Sequence, residues 1–451
     1  MRSIILLGIG LMVFGVFAAS AGAASTSKPN ILFIVADDMG YGDCGVQGCR
    51  DIPTPNLDAL ANGGVRFTDG YVTGPVCSPT RAALMTGRYQ ARDGVKDWIP
   101  HGKPGLNVGV PTVADYLRKA GYRTALIGKW HLGEEDECHP LNRGFDEFYG
   151  FLGGGRNYFQ GQGELAPANH NNYTRLVRGR EPVRELEYTT YAFAREAMSF
   201  IGRQKANKQP FFLFLSFNAV HTPLQAPPDV VARFPAIKNK TRQTYAAMVS
   251  AMDESIGRVL KALREAGLEE NTLVCFISDN GGPITRNAPN GSTNTPLRGG
   301  KGEIWEGGIR VPFFMSWKGR LAPGTTYGQP VSQMDLTATA LALAGVTPEA
   351  KWPVDGVDLL PFLDGKRGEP HSILCWEYER RAAIRQGQWK LVFSPEAKGR
   401  KQAISGLYDL ASDIGENQDL AGRQPERVES LQSLWSDWRK GVEPSPSGIN
   451  R

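Results

Sequence analysis

The sequence predicts an α/β fold: a mainly parallel central sheet flanked by helices, followed by a smaller C-terminal α+β unit. Three observations carry this. Short, continuously apolar runs recur through the first four-fifths of the chain, as in strands buried on both faces. Amphipathic helical patterns alternate with them, the arrangement of a parallel sheet covered on each side. Around residues 361–370 the pattern changes to apolar runs at close spacing, the signature of short antiparallel strands.

In chain order, residues 1–24 read as a secretory signal peptide. Met1-Arg2 gives a positive start, residues 4–19 are apolar, and Ala19, Ala21 and Ala23 offer Ala-x-Ala cleavage patterns. The rival is an uncleaved anchor, although the run is short for a spanning helix. No later stretch is apolar for long enough to cross a bilayer. The expectation is an exported protein, periplasmic or secreted, with no membrane attachment after cleavage.

Residues 29–36 form the first buried strand and stop abruptly at Asp37-Asp38. Helical patterns at 110–120, 190–205 and 245–266 precede apolar runs at 123–127, 211–217 and 272–277. Residues 153–181, Gly/Asn-rich and weakly periodic, read as a surface excursion over the edge of the sheet. Runs at 373–378, 381–384, 389–393 and 407–410 read as antiparallel strands, and 425–439 as a closing helix. The expected units are a main domain over 25–365 and a C-terminal subdomain over 366–451.

Composition narrows the class. With 451 residues, 41% of them hydrophobic and 22% charged, the chain can bury a large core. Lys+Arg 51 against Asp+Glu 46 leaves +5, spread without blocks, which excludes a basic nucleic-acid arm. The six cysteines match neither a zinc ribbon nor a small disulfide scaffold. Cys44 and Cys49 are close enough for a local bridge, and Cys275 reads as a buried thiol.

In a parallel sheet, ligands bind beyond the carboxyl ends of the strands. Asp37-Asp38, Lys129-Trp130-His131, His221 and Asp279-Asn280 each follow a different strand and converge on that edge. Taken alone, an Asp-Asp pair is usually a turn or a cap. Two such oxygen-bearing pairs at one edge suit a hard cation, Ca²⁺ or Mg²⁺, better than zinc or copper. Pro79 and the Ala/Leu-rich residues after it favour a helix that begins near Cys77, where backbone N–H groups attract an anion and Arg81 adds charge. A reactive thiolate and a structural cysteine both remain open on these grounds.

The pattern Cys77-x-Pro79-x-Arg81, followed by Thr86-Gly87-Arg88, resembles the signature of type I sulfatases, as found in arylsulfatases and N-acetylgalactosamine-6-sulfatases. Further matching motifs follow in order. They are Ala36-Asp37-Asp38 with Gly40-Tyr41-Gly42-Asp43, Gly128-Lys129-Trp130-His131-Leu132-Gly133, His221-Thr222-Pro223, Ser278-Asp279-Asn280-Gly281, and Leu297-Arg298-Gly299-Gly300-Lys301 with Glu306-Gly307-Gly308. The resemblance implies an alkaline-phosphatase-like fold and a sulfuric ester hydrolase. Cys77 would be converted to formylglycine by a maturation enzyme, and one hydroxyl of the hydrated aldehyde would attack sulfur. Asp37, Asp38, Asp279, Asn280 and residue 77 itself would hold one Ca²⁺, with Mg²⁺ as the fallback. Arg81, Lys129 and Lys301 would stabilise developing negative charge. His221, with Lys301, would protonate the leaving alcohol, and His131 would take the proton that lets the sulfated intermediate collapse.

Arg156, Asn157, His170, Arg286 and Asn287 are expected substrate contacts on loops. His101, His139 and His371 are read as structural, and no tryptophan is assigned as a sugar platform. The expected substrate is a sulfated glycan, desulfated at a chain end, with simple aryl sulfates turned over poorly. Two other functions share these features. One is a phosphoester or phosphonate-ester hydrolase of the same fold. The other is a non-catalytic binder of sulfated glycans, against which the intact set of catalytic positions argues.

Overall fold

Strand Asn30–Ala36 is buried along its whole length. Its alternate residues feed two cores, Ile31, Phe33 and Val35 into one and Leu32, Ile34 and Ala36 into the other. A strand apolar on both faces has to be covered twice. In the computed structural model, which describes residues 28–159, 174–207, 209–284, 289–393 and 403–442, this strand lies inside a ten-stranded sheet. The expected signal peptide, His170, Arg286 and Asn287 lie outside the described residues.

The middle of the sheet runs Glu147–Phe151, Arg123–Lys129, Phe211–Ser216, Asn30–Ala36, Thr272–Ser278, each parallel to its neighbour. Phe313–Ser316 then adds antiparallel to Thr272–Ser278, with Val65–Phe67 and Thr325–Tyr327 beyond it. Helices Thr189–Gln204 and Lys240–Glu265 cover one face through residues such as Phe193, Phe200, Tyr245 and Ile256. Helices Cys77–Thr86, Val113–Lys119 and Gln333–Ala344 cover the other through Leu84, Leu117 and Leu336.

The strong elements fall where the pattern put them, and the differences have local causes. The helix expected at 110–120 begins at Val113, because Thr112 and Asp115 form a capping box. The helix expected at 245–266 begins earlier, at Lys240, where Asn239 accepts from the Arg242 N–H. The excursion at 153–181 returns as Val177–Arg178 and Glu181–Pro182, two short antiparallel strands at the sheet edge. All six cysteines are free thiols, so the Cys44–Cys49 bridge is absent.

The C-terminal unit is a four-stranded antiparallel sheet, Leu374–Tyr378, Arg381–Gln386, Trp389–Phe393 and Ile404–Asp409. Helix Pro425–Val442 packs Leu431 and Trp435 on one face. The other face sets Trp376, Ala383 and Val392 against Tyr71, Val76, Ile304 and Ile309 of the main unit.

Candidate active site

Strand register assembles the site. Ala36 pairs with Ser278, so Asp37-Asp38 and Asp279-Asn280 emerge side by side. Gly128 pairs with Ser216, which brings Lys129 to the same edge. Helix Cys77–Thr86 begins there, with Cys77 as its first residue and no side-chain cap from Val76. The positive end of that helix is thus presented to whatever residue 77 carries.

Three buried carboxylates meet three cations. Lys129 Nζ lies 2.6 Å from Asp37 Oδ2, with both side chains fully buried. Arg81 donates from Nε and Nη2 to Asp279 Oδ2 at 3.0 and 2.8 Å, and from Nη1 to Ser216 Oγ at 2.6 Å. Lys301 Nζ donates to Asp38 Oδ2 at 2.8 Å, and Asn280 Nδ2 donates to Asp38 Oδ1 at 2.7 Å. His221 Nε2 stands 3.7 Å from Asp38 Oδ2. Charges this deep are tolerated only when paired, and apolar packing would serve stability as well. Asp38 and His131 also hold left-handed backbone, at φ 64° and 61°, an uncommon conformation for residues other than glycine.

The electrostatics leave room for another positive charge. Burial pushes the Asp37 carboxyl up to about 8, with repulsion from Asp279 adding to it and Lys129 offsetting part. Asp37 Oδ1 and Asn280 Oδ1 are buried and have no hydrogen-bond partner. Asp37, Asp38, Cys77 and His221 each place one donor atom within 4.8 Å of the others. Orphaned hard oxygens, one of them on a carboxyl whose charge burial disfavours, fit a divalent cation of the Ca²⁺ or Mg²⁺ kind. Asp279, the remaining expected ligand, lies beside Asp38, its Oδ2 accepting from Arg81 and its Oδ1 accepting the Asp38 N–H at 3.2 Å.

The two histidines are fixed in different states. His131 Nε2 lies 3.2 Å from the Ile99 carbonyl, which can only accept, so Nε2 carries the proton and Nδ1 keeps a lone pair. Burial, reinforced by Lys129 and Arg81, holds His131 well below its ordinary value. His221 Nδ1 donates to the Thr222 carbonyl at 2.6 Å, leaving Nε2 toward Asp38. Burial lowers His221 to about 4, although Asp38 opposes the shift. Cys77 is raised by burial, with Lys129 and Lys301 opposing, so the unmodified thiol is a poor nucleophile.

Above these groups lies a cavity of about 690 Å³ lined by Cys77, Trp98, His131, His221 and Lys301 together with Gly154 and Gly155. Arg81 and Lys129 sit behind it, 1% and 0% exposed, and act through their charge. Arg156 turns inward, donating to the carbonyls of Asn157 and Thr174, and is not among the described residues lining the cavity. Asn157 is exposed beside it. Sequence reasoning missed Ser216, the Ile99 carbonyl, and Trp98, His101 and Glu134 at the cavity wall. None of these sits in a motif; only contacts across the fold bring them in.

The sequence model of the family described as Sulfatase matches residues 29–346. The chain is 36% identical over 407 residues to N-acetylgalactosamine-6-sulfatase of Canis lupus familiaris, covering 83% of this chain and 74% of that protein. It is 34% identical over 467 residues to arylsulfatase A of Homo sapiens, covering 92% and 89%. The solved structure of Ps i-CgsB in complex with k-i-k-neocarrahexaose superposes with a TM-score of 0.85 at 38% identity, over 93% of this chain and 94% of that one.

Proposed function

The chain belongs to the sulfatase family and is a sulfuric ester hydrolase, and from that premise we propose that it removes sulfate from a sulfated carbohydrate through Cys77 matured to formylglycine. The observation that carries this is the convergence of Cys77, His131, His221 and Lys301 on one cavity. The substrate class is supported by relatives whose names and complexes concern sulfated sugars. Residues 25–365 carry the chemistry in this reading, 366–451 support it, and residues 1–24 direct export.

Hydrated formylglycine would supply one hydroxyl to attack sulfur and a second whose deprotonation breaks the bond from carbon to the sulfated oxygen, releasing sulfate and restoring the aldehyde. Asp37, Asp38, Asp279 and Asn280, with residue 77, are the groups that would hold a Ca²⁺ ion, which would supply positive charge for binding the sulfate. Lys301 reaches the cavity and adds charge where the transition state becomes more negative, with Lys129 and Arg81 reinforcing it from behind. His221 delivers a proton from Nε2 to the leaving oxygen, its Nδ1 proton being committed to Thr222. A bound sulfate ester favours the imidazolium this requires, since its negative charge opposes the effect of burial. His131 is neutral, and its Nδ1 lone pair takes the proton from the second hydroxyl.

The test joins mass spectrometry of the peptide containing residue 77 to sulfate release from a panel of sulfated saccharides. The expected result is an aldehyde at residue 77, sulfate release from at least one saccharide, and no release by Cys77→Ala. Chelation by EDTA should abolish turnover, and Ca²⁺ should restore it. Full activity in protein whose Cys77 is entirely thiol would falsify the mechanism.

A further inference from the structure

A second groove, of about 530 Å³, is lined by the segment from Asp93 to Asn107 and shares Trp98 and Ile99 with the cavity over Cys77. Trp98 is 52% exposed. A lone exposed indole needs no explanation, but this one stands where the two hollows meet, on a segment held from three sides. The Ile99 N–H donates to Ser78 Oγ at 3.0 Å, its carbonyl faces His131 Nε2 at 3.2 Å, and the Tyr378 hydroxyl donates to Asp97 Oδ1 at 3.1 Å. The first contact ties the segment to the residue after Cys77, and the second ties it to His131. The indole is therefore set at a fixed place relative to residue 77 rather than carried on a loose loop.

The charge of the groove points the same way. Lys96 and Lys103 line it and are exposed, and among the described residues neither ammonium has an ion-pair partner. The acids nearby are engaged: Asp93 with Arg88 at 3.4 Å, Asp97 with Tyr378, and Glu134 with His101 at 2.5 Å. What the groove offers a ligand is one flat apolar face and two exposed lysine ammoniums free of ion pairs among the described residues, with Asp97 the one exposed carboxylate beside them. A sulfated pyranose has the matching parts, an apolar face of C–H groups and a permanent anion.

We propose that this groove is a second sugar subsite that takes an anionic, sulfated residue adjoining the sugar from which sulfate is removed. Trp98 is the stacking platform, and Lys96 and Lys103 contact the neighbouring sulfate. The proposal rests on the sulfated-carbohydrate reading above and adds that the enzyme recognises a chain rather than a single sugar. Specificity then depends on the charge of the adjoining residue as well as on the scissile ester.

The experiment compares wild type, Trp98→Ala and Lys96→Glu/Lys103→Glu on a multiply sulfated neocarrahexaose, a multiply sulfated chondroitin hexasaccharide and 4-nitrocatechol sulfate. For each variant, the ratio of kcat/KM for the better hexasaccharide to that for the aryl ester should fall about tenfold, chiefly through KM. The wild-type KM for the hexasaccharide should rise with NaCl, and the lysine variant should show a flatter dependence. A ratio unchanged in both variants, with wild type active on a hexasaccharide, overturns the subsite alone. Wild type that hydrolyses the aryl ester and neither hexasaccharide overturns the subsite, and the reading beneath it falls as well if no sulfated saccharide of the wider panel is desulfated.

Discussion

Gly154 shows how narrowly the reacting groups are spaced. A Cβ there would stand 2.7 Å from both Cε1 and Nε2 of His131. No side chain fits unless the imidazole or the loop moves, and the imidazole is held by the Ile99 carbonyl. Gly154→Ala is expected to lower kcat by about ten- to a hundredfold while costing no more than about 1 kcal/mol of stability. Steady-state kinetics beside urea unfolding decide it, and a loss of stability with kcat intact would refute the steric argument. His131 also carries a pH signature. Its folded pKa is depressed, so the unfolded chain binds the proton at higher pH than the native one. The stability it contributes is complete above its unfolded value of about 6.5 and is lost as pH falls below that. His131→Asn should therefore lose less Tm than wild type between about pH 7 and pH 5. An equal loss in the two proteins would contradict the assignment.

Helix Cys77–Thr86 is the element on which residue 77 depends. Its C-terminus closes on Gly87, at φ 70°, whose N–H donates to the Ala83 carbonyl. A Cβ at Gly87 would meet Val354 Cγ1 at 2.8 Å and Thr337 Cγ2 at 3.0 Å, so backbone strain and crowding act together. Gly87→Ala is expected to cost about 2 kcal/mol, read as a lower urea midpoint with unchanged m-value. Because the change lies at the far end of the helix, turnover per folded molecule should be nearly preserved. A variant as stable as wild type would show that the terminus relaxes at no cost.

At the scale of the molecule, the two units are joined by buried charge as well as by apolar packing. Lys390, on the C-terminal sheet, lies 2.9 Å from Glu306 Oε1 and 2.8 Å from Glu416 Oε1, and all three side chains are fully buried. Glu416 Oε2 accepts the Glu306 N–H at 2.8 Å, and its carbonyl accepts from Arg298 at 2.8 Å. Arg298 and Glu306 flank Lys301, so this network frames the segment that carries a reacting lysine. Among the described residues, Lys390→Met leaves the buried Glu416 without a counter-charge and Glu306 with Arg310 alone as its ion-pair partner, and is expected to cost about 3–5 kcal/mol. Adding Glu306→Gln and Glu416→Gln should recover part of that loss. Thermal melts of the single and triple variants, with kcat for each, provide the check; a triple variant no better than Lys390→Met alone would mean the loss is not one of charge.

The sequence by itself determined the layered α/β architecture, because a strand such as Asn30–Ala36, apolar at every position, can exist only between two covering layers. It also determined which side chains gather at the site. Asp37, Asp38, Lys129, Asp279 and Asn280 lie at or just beyond strand ends, and parallel pairing sends those ends to one edge. Cys77 was legible because its helix start is written locally. The short strands Val65–Phe67 and Thr325–Tyr327 were not, since a few residues carry no period and the sheet edge selects them. Tertiary structure alone decided the protonation of His131, because its deciding carbonyl comes from Ile99, 32 residues away. It decided likewise that Arg156 turns inward and that Trp98 faces a cavity. Exposure and hydrogen-bond partners of this kind depend on contacts between distant segments, and no local pattern encodes them.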